Sequence, residues 1–512
     1  MNDDVVYFRR GGGRSRPRTP VQNGRVADLL EPDLWNVTLP ALRAARQRGR
    51  EYIATGKYVS RLKITEYSEN AQGWSTTTKR DLFPSNTAPV EWANIVGPDV
   101  GQFSPIAYDE VPELLEAARW VGERGLADQR FLERVSMLSG IEQDADKRLS
   151  QVHSEYIRFF VMELVGCAEA IGAESDDELL HLYAELERAR FADELKGDLL
   201  VPIALTPLDL AAPFQVANDV WIEPLTTEIQ RARATSAMYG GRVSAHVVAA
   251  ASHAVVVRNL AFDNSNLFWR RWRTSSVPAL ARVNQVLQCL HILTGRDTGF
   301  AQAVVRPLGW ADTWDHDLPP IWKLSEYHAY PESFDSGGWT EDKRMISADT
   351  IEDLPKIFRA LESAPANVQL AARRSMRAVT RDDDEDKTLD AAIGIEALLL
   401  ANSDREEVTH RMALRAATAL AADGSEPEIV ARLLKNVYTH RSAIVHGRAR
   451  KSDMVSLGEK EFPAREVASF LLRALLRAHL IAEEPWTPES LDRQIIGSLR
   501  SVQVNKKAPR EG

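Results

Sequence analysis

At 512 residues the chain is too long for one ordinary core, so two or three domains are expected. Its composition, 44% apolar and 27% charged, is that of a folded soluble protein and excludes a chain that stays disordered for lack of apolar residues. The formal net charge of −10 repels nucleic acid at long range, so any RNA contact has to come from a local basic patch.

The N-terminus, MNDDVVYFRR, carries acid where a signal peptide needs a basic segment and an apolar stretch. Residues 1–28, with RRGGGRSRPRTP, read as a disordered basic arm, either a plain terminus or an RNA-touching one. Residues 29–197 read as mostly helical. Ala41–Tyr52 has helical character, and TEYSENAQGWSTTTKRDLFPSNTAPVEW is turn-rich and irregular. Val111–Glu123, Asp128–Leu138, Asp144–Ile171 and Asp176–Ala192 space their apolar residues at three and four. The longest of them should turn Phe159, Phe160, Val161 and Leu164 inward.

Near Asp198 the pattern changes to α+β, and this character is expected through residue 380. Leu199–Leu205, Val220–Glu223, Val247–Val257, Phe300–Leu308 and Ile321–Tyr330 read as strands, with a helix at Pro278–Leu293. Val243–Val257 is the most apolar stretch, but His246, Ser252 and His253 interrupt it. It falls short of the roughly 20 apolar residues of a membrane span, so no membrane partner and a cytoplasmic location are expected. Cys167 and Cys289 lie far apart in apolar helical patterns, which disfavours a disulfide framework or a cysteine zinc site.

Helices at Ile351–Leu361 and Ala366–Ala378 lead to Arg381-Asp-Asp-Asp-Glu-Asp-Lys387, read as a solvated linker. Four helical segments then follow at 385–485: Leu389–Ala401, with Ile393, Ala397 and Leu400 on one face, Arg405–Ala422, Glu426–His446 and Ala464–Glu483. Short connections between apolar-faced helices suggest an antiparallel bundle, with Ser425 capping the third helix and Gly447 ending it. Residues 501–512 read as a disordered tail. The expected fold is thus multidomain and mainly α, with a central α+β region and a C-terminal antiparallel helical bundle.

Within the third bundle helix stands Tyr438-Thr-His440-Arg441-Ser442-Ala-Ile-Val-His446-Gly447. An Arg followed five residues later by a His is weak evidence alone, since Arg148/His153 and Arg405/His410 share the spacing. The full block, however, resembles the motif of ApeA-like HEPN proteins, in which Tyr, Arg, a small polar residue, two aliphatics, His and Gly recur together. Upstream, Asp390-Ala-Ala-Ile-Gly-Ile-Glu396-Ala-Leu-Leu resembles the first-helix signature of that group. The resemblance covers about 100 of the 512 residues.

The resemblance implies a HEPN bundle and a metal-independent endoribonuclease with Arg441 and His446 as catalytic residues and no cofactor. It also implies a homodimer whose two motif helices share one cleft, and a place in anti-phage defence by abortive infection or toxin-like RNA cleavage. A phage-derived trigger or an inhibitory partner would then hold the nuclease in check. The residue types suit this chemistry. An imidazole exchanges protons near neutral pH, and a guanidinium fork matches phosphate oxygens. Tyr438, His440 and Ser442 are candidates for supporting the site or binding RNA. Arg448, Arg450 and Lys451, with Arg432 and Lys435, make the basic patch that an acidic protein needs; a cationic helix end suited to the dipole is the plainer reading. Five positions at about 100° each set Arg441 and His446 roughly 140° apart on an ideal helix. The alternative is a non-catalytic HEPN module that binds RNA or a protein as a scaffold.

Phe268-Trp-Arg-Arg-Trp-Arg273 interleaves aromatics with cations, but amphipathic packing is the commoner cause. His246, His253, His316 and His328 lack the clustered acids or cysteines of a metal site and read as structural.

Overall fold

The structure, a computed structural model, describes residues 26–63, 65–79, 88–99, 104–136, 145–235, 243–264, 271–401, 407–422, 424–447 and 453–505. The chain divides into two compact units. The first comprises, among these, residues 26–60 and 90–192; the second comprises 61–89 and everything from 193 onward. Most of the basic arm and the last part of the tail lie outside the described residues.

The first unit is helical. Pro32 opens α1 (Pro32–Ala54), and a buried Glu187 carboxylate accepts from the backbone N–H of Leu30 and Glu31 just before it, at 2.9 and 2.7 Å. After α1 the chain makes a hairpin of β1 (Thr65–Glu69) and β2 (Ser75–Lys79), part of the second unit, where an irregular stretch was expected. A short parallel pair, β3 (Val96–Gly97) and β4 (Ile106–Ala107), precedes the remaining helices: α2 (Pro112–Ala127), α3 (Gln129–Ser136), α4 (Ala145–Tyr156), α5 (Met162–Ile171) and α6 (Asp176–Phe191). A π-helical turn, Ile157–Val161, joins α4 to α5. Its wider turn shifts the helical register. Phe160, Val161 and Leu164 are buried as expected, but Phe159 points outward at 42% exposure.

The second unit is built on an antiparallel sheet, in spatial order β10-β9-β5-β8-β7-β6. Its strands are β5 (Glu194–Pro202), β6 (Phe214–Gln215), β7 (Val220–Pro224), β8 (His253–Asp263), β9 (Phe300–Pro307) and β10 (Trp322–Ala329). The expected boundary near residue 198 therefore falls inside β5. Between β7 and β8 run α7 (Thr227–Thr235) and α8 (Ala245–Ala249), so Val247–Val257, expected as one strand, is helix to Ala249 and strand only from His253. An unbroken apolar run does not tell a buried helix from a buried strand by its period. One sheet face packs on α9 (Arg271–Thr294) through Leu199, Val201, Val255 and Val257 against Val283, Val286 and Leu290.

From α9 the same core continues without a break into α10 (Leu354–Glu362), α11 (Ala366–Thr380), α12 (Asp384–Leu399), α13 (Val408–Ala421), α14 (Pro427–Val445) and α15 (Ala464–Ile481). Sheet and C-terminal helices thus form one body, and the separate domains expected at 198–380 and 385–485 share a core. A hairpin of β11 (Met454–Leu457) and β12 (Lys460–Pro463) leads into α15, and α16 (Pro488–Asn505) follows it; the sequence patterning did not show these. Residues 501–505, expected in a disordered tail, complete α16.

The acidic run also differs from expectation. It is the N-terminus of α12, where Asp383 accepts from the Asp386 N–H at 2.9 Å and Asp384, Glu385 and Asp386 fill the first turn. Carboxylates there suit the positive end of the helix dipole. Helix α12 is enclosed by α11, α13, α14 and α15. Its buried positions are Thr388, Asp390, Ala391, Ala392, Gly394, Ile395, Leu398 and Leu399, while Ile393, Ala397 and Leu400 are half-buried. A helix with neighbours on several sides buries a wider arc than a single stripe.

Candidate functional site

Helix α14 begins at Pro427, with Glu426 at the cap position and no side-chain cap, so Ser425 does not serve there. Proline suits the first helical position because its missing N–H would be unpaired anyway. Val430, Leu433, Leu434 and Val437 bury the first part of the helix. From Tyr438 to His446 no residue is fully buried. The last turns therefore stand at the bundle surface, where chemistry has access. The helix ends at His446, whose N–H bonds the Ser442 carbonyl at 3.1 Å, and Gly447 takes the left-handed φ of +58° that lets the chain turn away.

Arg441 projects back toward α12. Its Nε lies 3.2 Å from Glu396 Oε1, and its guanidinium sits 5.6 Å from the centroid of the Tyr438 ring. The ion pair is close but misaligned for a hydrogen bond. Arg441 Nε, Glu396 Oε1 and the neighbouring His440 Nδ1 are all buried atoms without a hydrogen-bond partner among the described residues. Three such atoms on α14 and α12 form a polar spot that the described residues leave unsatisfied. Burial pushes the Glu396 carboxyl above its ordinary value, and the Arg441 charge opposes that rise without cancelling it.

A second pair fixes α12 from the other side. Asp390, its side chain 4% exposed, takes Arg374 of α11 on one oxygen and Arg381 Nε, at 3.3 Å, on the other. Asn367, near the start of α11, donates to the Ala397 carbonyl near the end of α12 at 3.0 Å, so these two helices run antiparallel. Gly394 lets α15 approach, because a Cβ there would meet Leu472 Cδ2 at 2.6 Å. Asp390, Gly394 and Glu396 are thus a link to α11, a close approach to α15 and a partner for Arg441.

The structure brings Tyr438 and Arg441 together and adds Glu396. The signal for Glu396 was present in the first-helix pattern, but its pairing with Arg441 was not readable there. His446 is exposed and, among the described residues, makes no side-chain bond. Ser442 is half-buried, and its hydroxyl has no bond within the described residues. Arg432 and Lys435 are exposed on the same helix, while Arg448, Arg450 and Lys451 lie outside the described residues. So does Phe268–Arg270, and of the side chains of Arg271, Trp272 and Arg273 nothing is described.

Elsewhere His253 is buried, His246 stacks on Trp339 at 4.7 Å, and His328 pairs with Asp335 at 2.9 Å. Among the described residues no group of three or more His, Cys, Asp or Glu gathers as metal ligands, and no helix is long and apolar enough to cross a membrane. Comparison with protein-family models, with curated proteins and with solved structures finds no match for the chain.

Proposed function

We propose that the helices from α12 to α15 are a HEPN-type bundle and that the protein is a metal-independent endoribonuclease. The observation that carries the reading is that a half-buried Arg441, beside Tyr438 and Glu396, and an exposed His446 stand on the last turns of one helix. In the reaction, the imidazole takes the proton of a ribose 2′-hydroxyl as that oxygen attacks the adjacent phosphorus. The guanidinium neutralises the charge that grows on the phosphate oxygens. The 5′-oxygen leaves with a proton given by an imidazolium, that of His446 or of its copy in a partner, giving a 2′,3′-cyclic phosphate and a 5′-hydroxyl. Two copies of α14 meeting in a two-fold homodimer would supply both pairs to one cleft. An anti-phage role in the cytoplasm, with the first 380 residues sensing a trigger or restraining the nuclease, accords with this chemistry.

The Glu396 pair also favours a second reading. A carboxylate that already neutralises Arg441 is what a scaffold bundle needs, and a substrate phosphate would have to compete with it. Incubating purified protein with total RNA in EDTA, beside Arg441→Ala and His446→Ala, separates the two. Cleavage by wild type alone supports the nuclease. Intact RNA throughout, or equal cleavage by all three, leaves the scaffold; cleavage that EDTA abolishes removes the metal-free mechanism.

A further inference from the structure

Away from the motif helix, α15 carries a strip that is both aromatic and cationic, with Phe470 and Arg477 exposed and Arg473 half-buried between them. Phe470 is 54% exposed, and the Arg473 guanidinium lies 5.6 Å from its ring centroid. The same guanidinium rests on the turn that ends α9. Gly295 there has φ +65°, and a Cβ on it would come within 2.8 Å of Arg473 Cζ. Arg477, one turn further along α15, is exposed, as is Arg296 beside Gly295.

Several arginines of the same unit are matched with acids: Arg282 with Asp219 and Glu362, Arg374 and Arg381 with Asp390, Arg415 with Asp492, Arg465 with Asp384. Among the described residues Arg473 and Arg477 have no carboxylate within ion-pair distance, although the chain has a net charge of −10. Burial, and then the Arg477 charge, push Arg473 below the usual guanidinium range. His291, buried nearby, is driven down to about 4 by burial first, despite its bond to the Arg296 carbonyl, so it is neutral at pH 7. Two like charges held together without a counter-ion are relieved by an anion. An exposed ring beside them offers a face on which any base can stack.

We propose that Phe470, Arg473 and Arg477 form a binding strip for single-stranded RNA, with the guanidiniums on backbone phosphates and a base stacked on the ring. The choice of RNA over another polyanion rests on the nuclease reading; the anion site itself does not.

The test is fluorescence anisotropy of the full chain with a labelled oligouridylate bearing 2′-O-methyl riboses, which a 2′-hydroxyl mechanism does not cleave. Arg473→Ala/Arg477→Ala should weaken binding about tenfold or more at low salt and flatten the dependence of log Kd on log salt by about 1.4, at about 0.7 per phosphate contact. The double lysine variant should keep the slope, which separates charge from folding. Phe470→Leu should weaken binding about fivefold or more with the slope unchanged. Wild-type affinity and slope in the double alanine variant would overturn the strip, and wild-type affinity in Phe470→Leu would overturn the stacking. Equal displacement of the oligonucleotide by poly-glutamate would overturn the RNA assignment. Because binding is read on uncleavable RNA, an inactive motif that still binds and an active motif without the strip are told apart.

Discussion

Arg441 of α14 and Glu396 of α12 face one another at 3.2 Å, with side chains only 26% and 21% exposed, yet out of line for a hydrogen bond. Burial raises the Glu396 pKa above the ordinary 4.5 in spite of the nearby cation. A carboxyl whose folded pKa is raised adds stability that is complete below the unfolded value and lost as pH rises through the folded one. The ionised carboxylate is thus a net burden at neutral pH, and its neutral form is the better tolerated.

Glu396→Gln copies that neutral form. It should be at least as stable as wild type at pH 7, with the two converging as pH falls below 4.5. Urea midpoints at pH 7 and pH 4 check this. A variant clearly less stable at pH 7 would mean that attraction to Arg441 outweighs burial. If Arg441 contacts a phosphate, the same variant should also keep or raise RNA cleavage, since the competing anion is gone.

Gly394→Ala sets helix propensity against space. Alanine favours a helix over glycine by about 1 kcal/mol. The new methyl, however, would stand 2.6 Å from Leu472 Cδ2 and 3.3 Å from Arg374 Cβ, and Leu472 is fully buried. Overpacking costs about 1–3 kcal/mol, so a net loss near 1 kcal/mol is expected in denaturant unfolding. An unchanged or raised midpoint would show that α12 and α15 separate easily.

Arg415 of α13 is 1% exposed and donates to Asp492 of α16 at 2.8 and 2.7 Å and to the Leu399 carbonyl at 2.7 Å. Asp492→Ala removes two of these bonds from a buried cation, at a cost of about 3 kcal/mol. Hydrogen exchange should show α16 losing protection first. Unaltered protection in α16 would mean that its apolar contacts alone hold it.

Much of this was legible in the sequence because it follows period. The helices α2, α5, α6, α9 and α11 and the strands β7, β9 and β10 carry clean apolar spacing. What escaped depends on tertiary context. The apolar run at Val247 has no period that tells strand from helix. The run Asp382–Asp386 looks like a linker until Asp383 is seen to cap a helix. Phe159 faces out because a π turn shifts the register. At the candidate site, the residues of one helix could be read together. The link from Arg441 to Glu396 spans 45 positions and two helices, so only the packed bundle shows it.

The central claim is chemical, and the ends of the RNA test it most directly. A defined RNA strand and its all-2′-deoxy counterpart, each incubated with the protein in EDTA, are analysed by mass spectrometry. Ribose strands cut to 2′,3′-cyclic phosphate and 5′-hydroxyl ends, deoxy strands left whole, and no products from His446→Ala are the predicted results. Products ending in 3′-hydroxyl and 5′-phosphate, or wild-type cutting by His446→Ala, would contradict it.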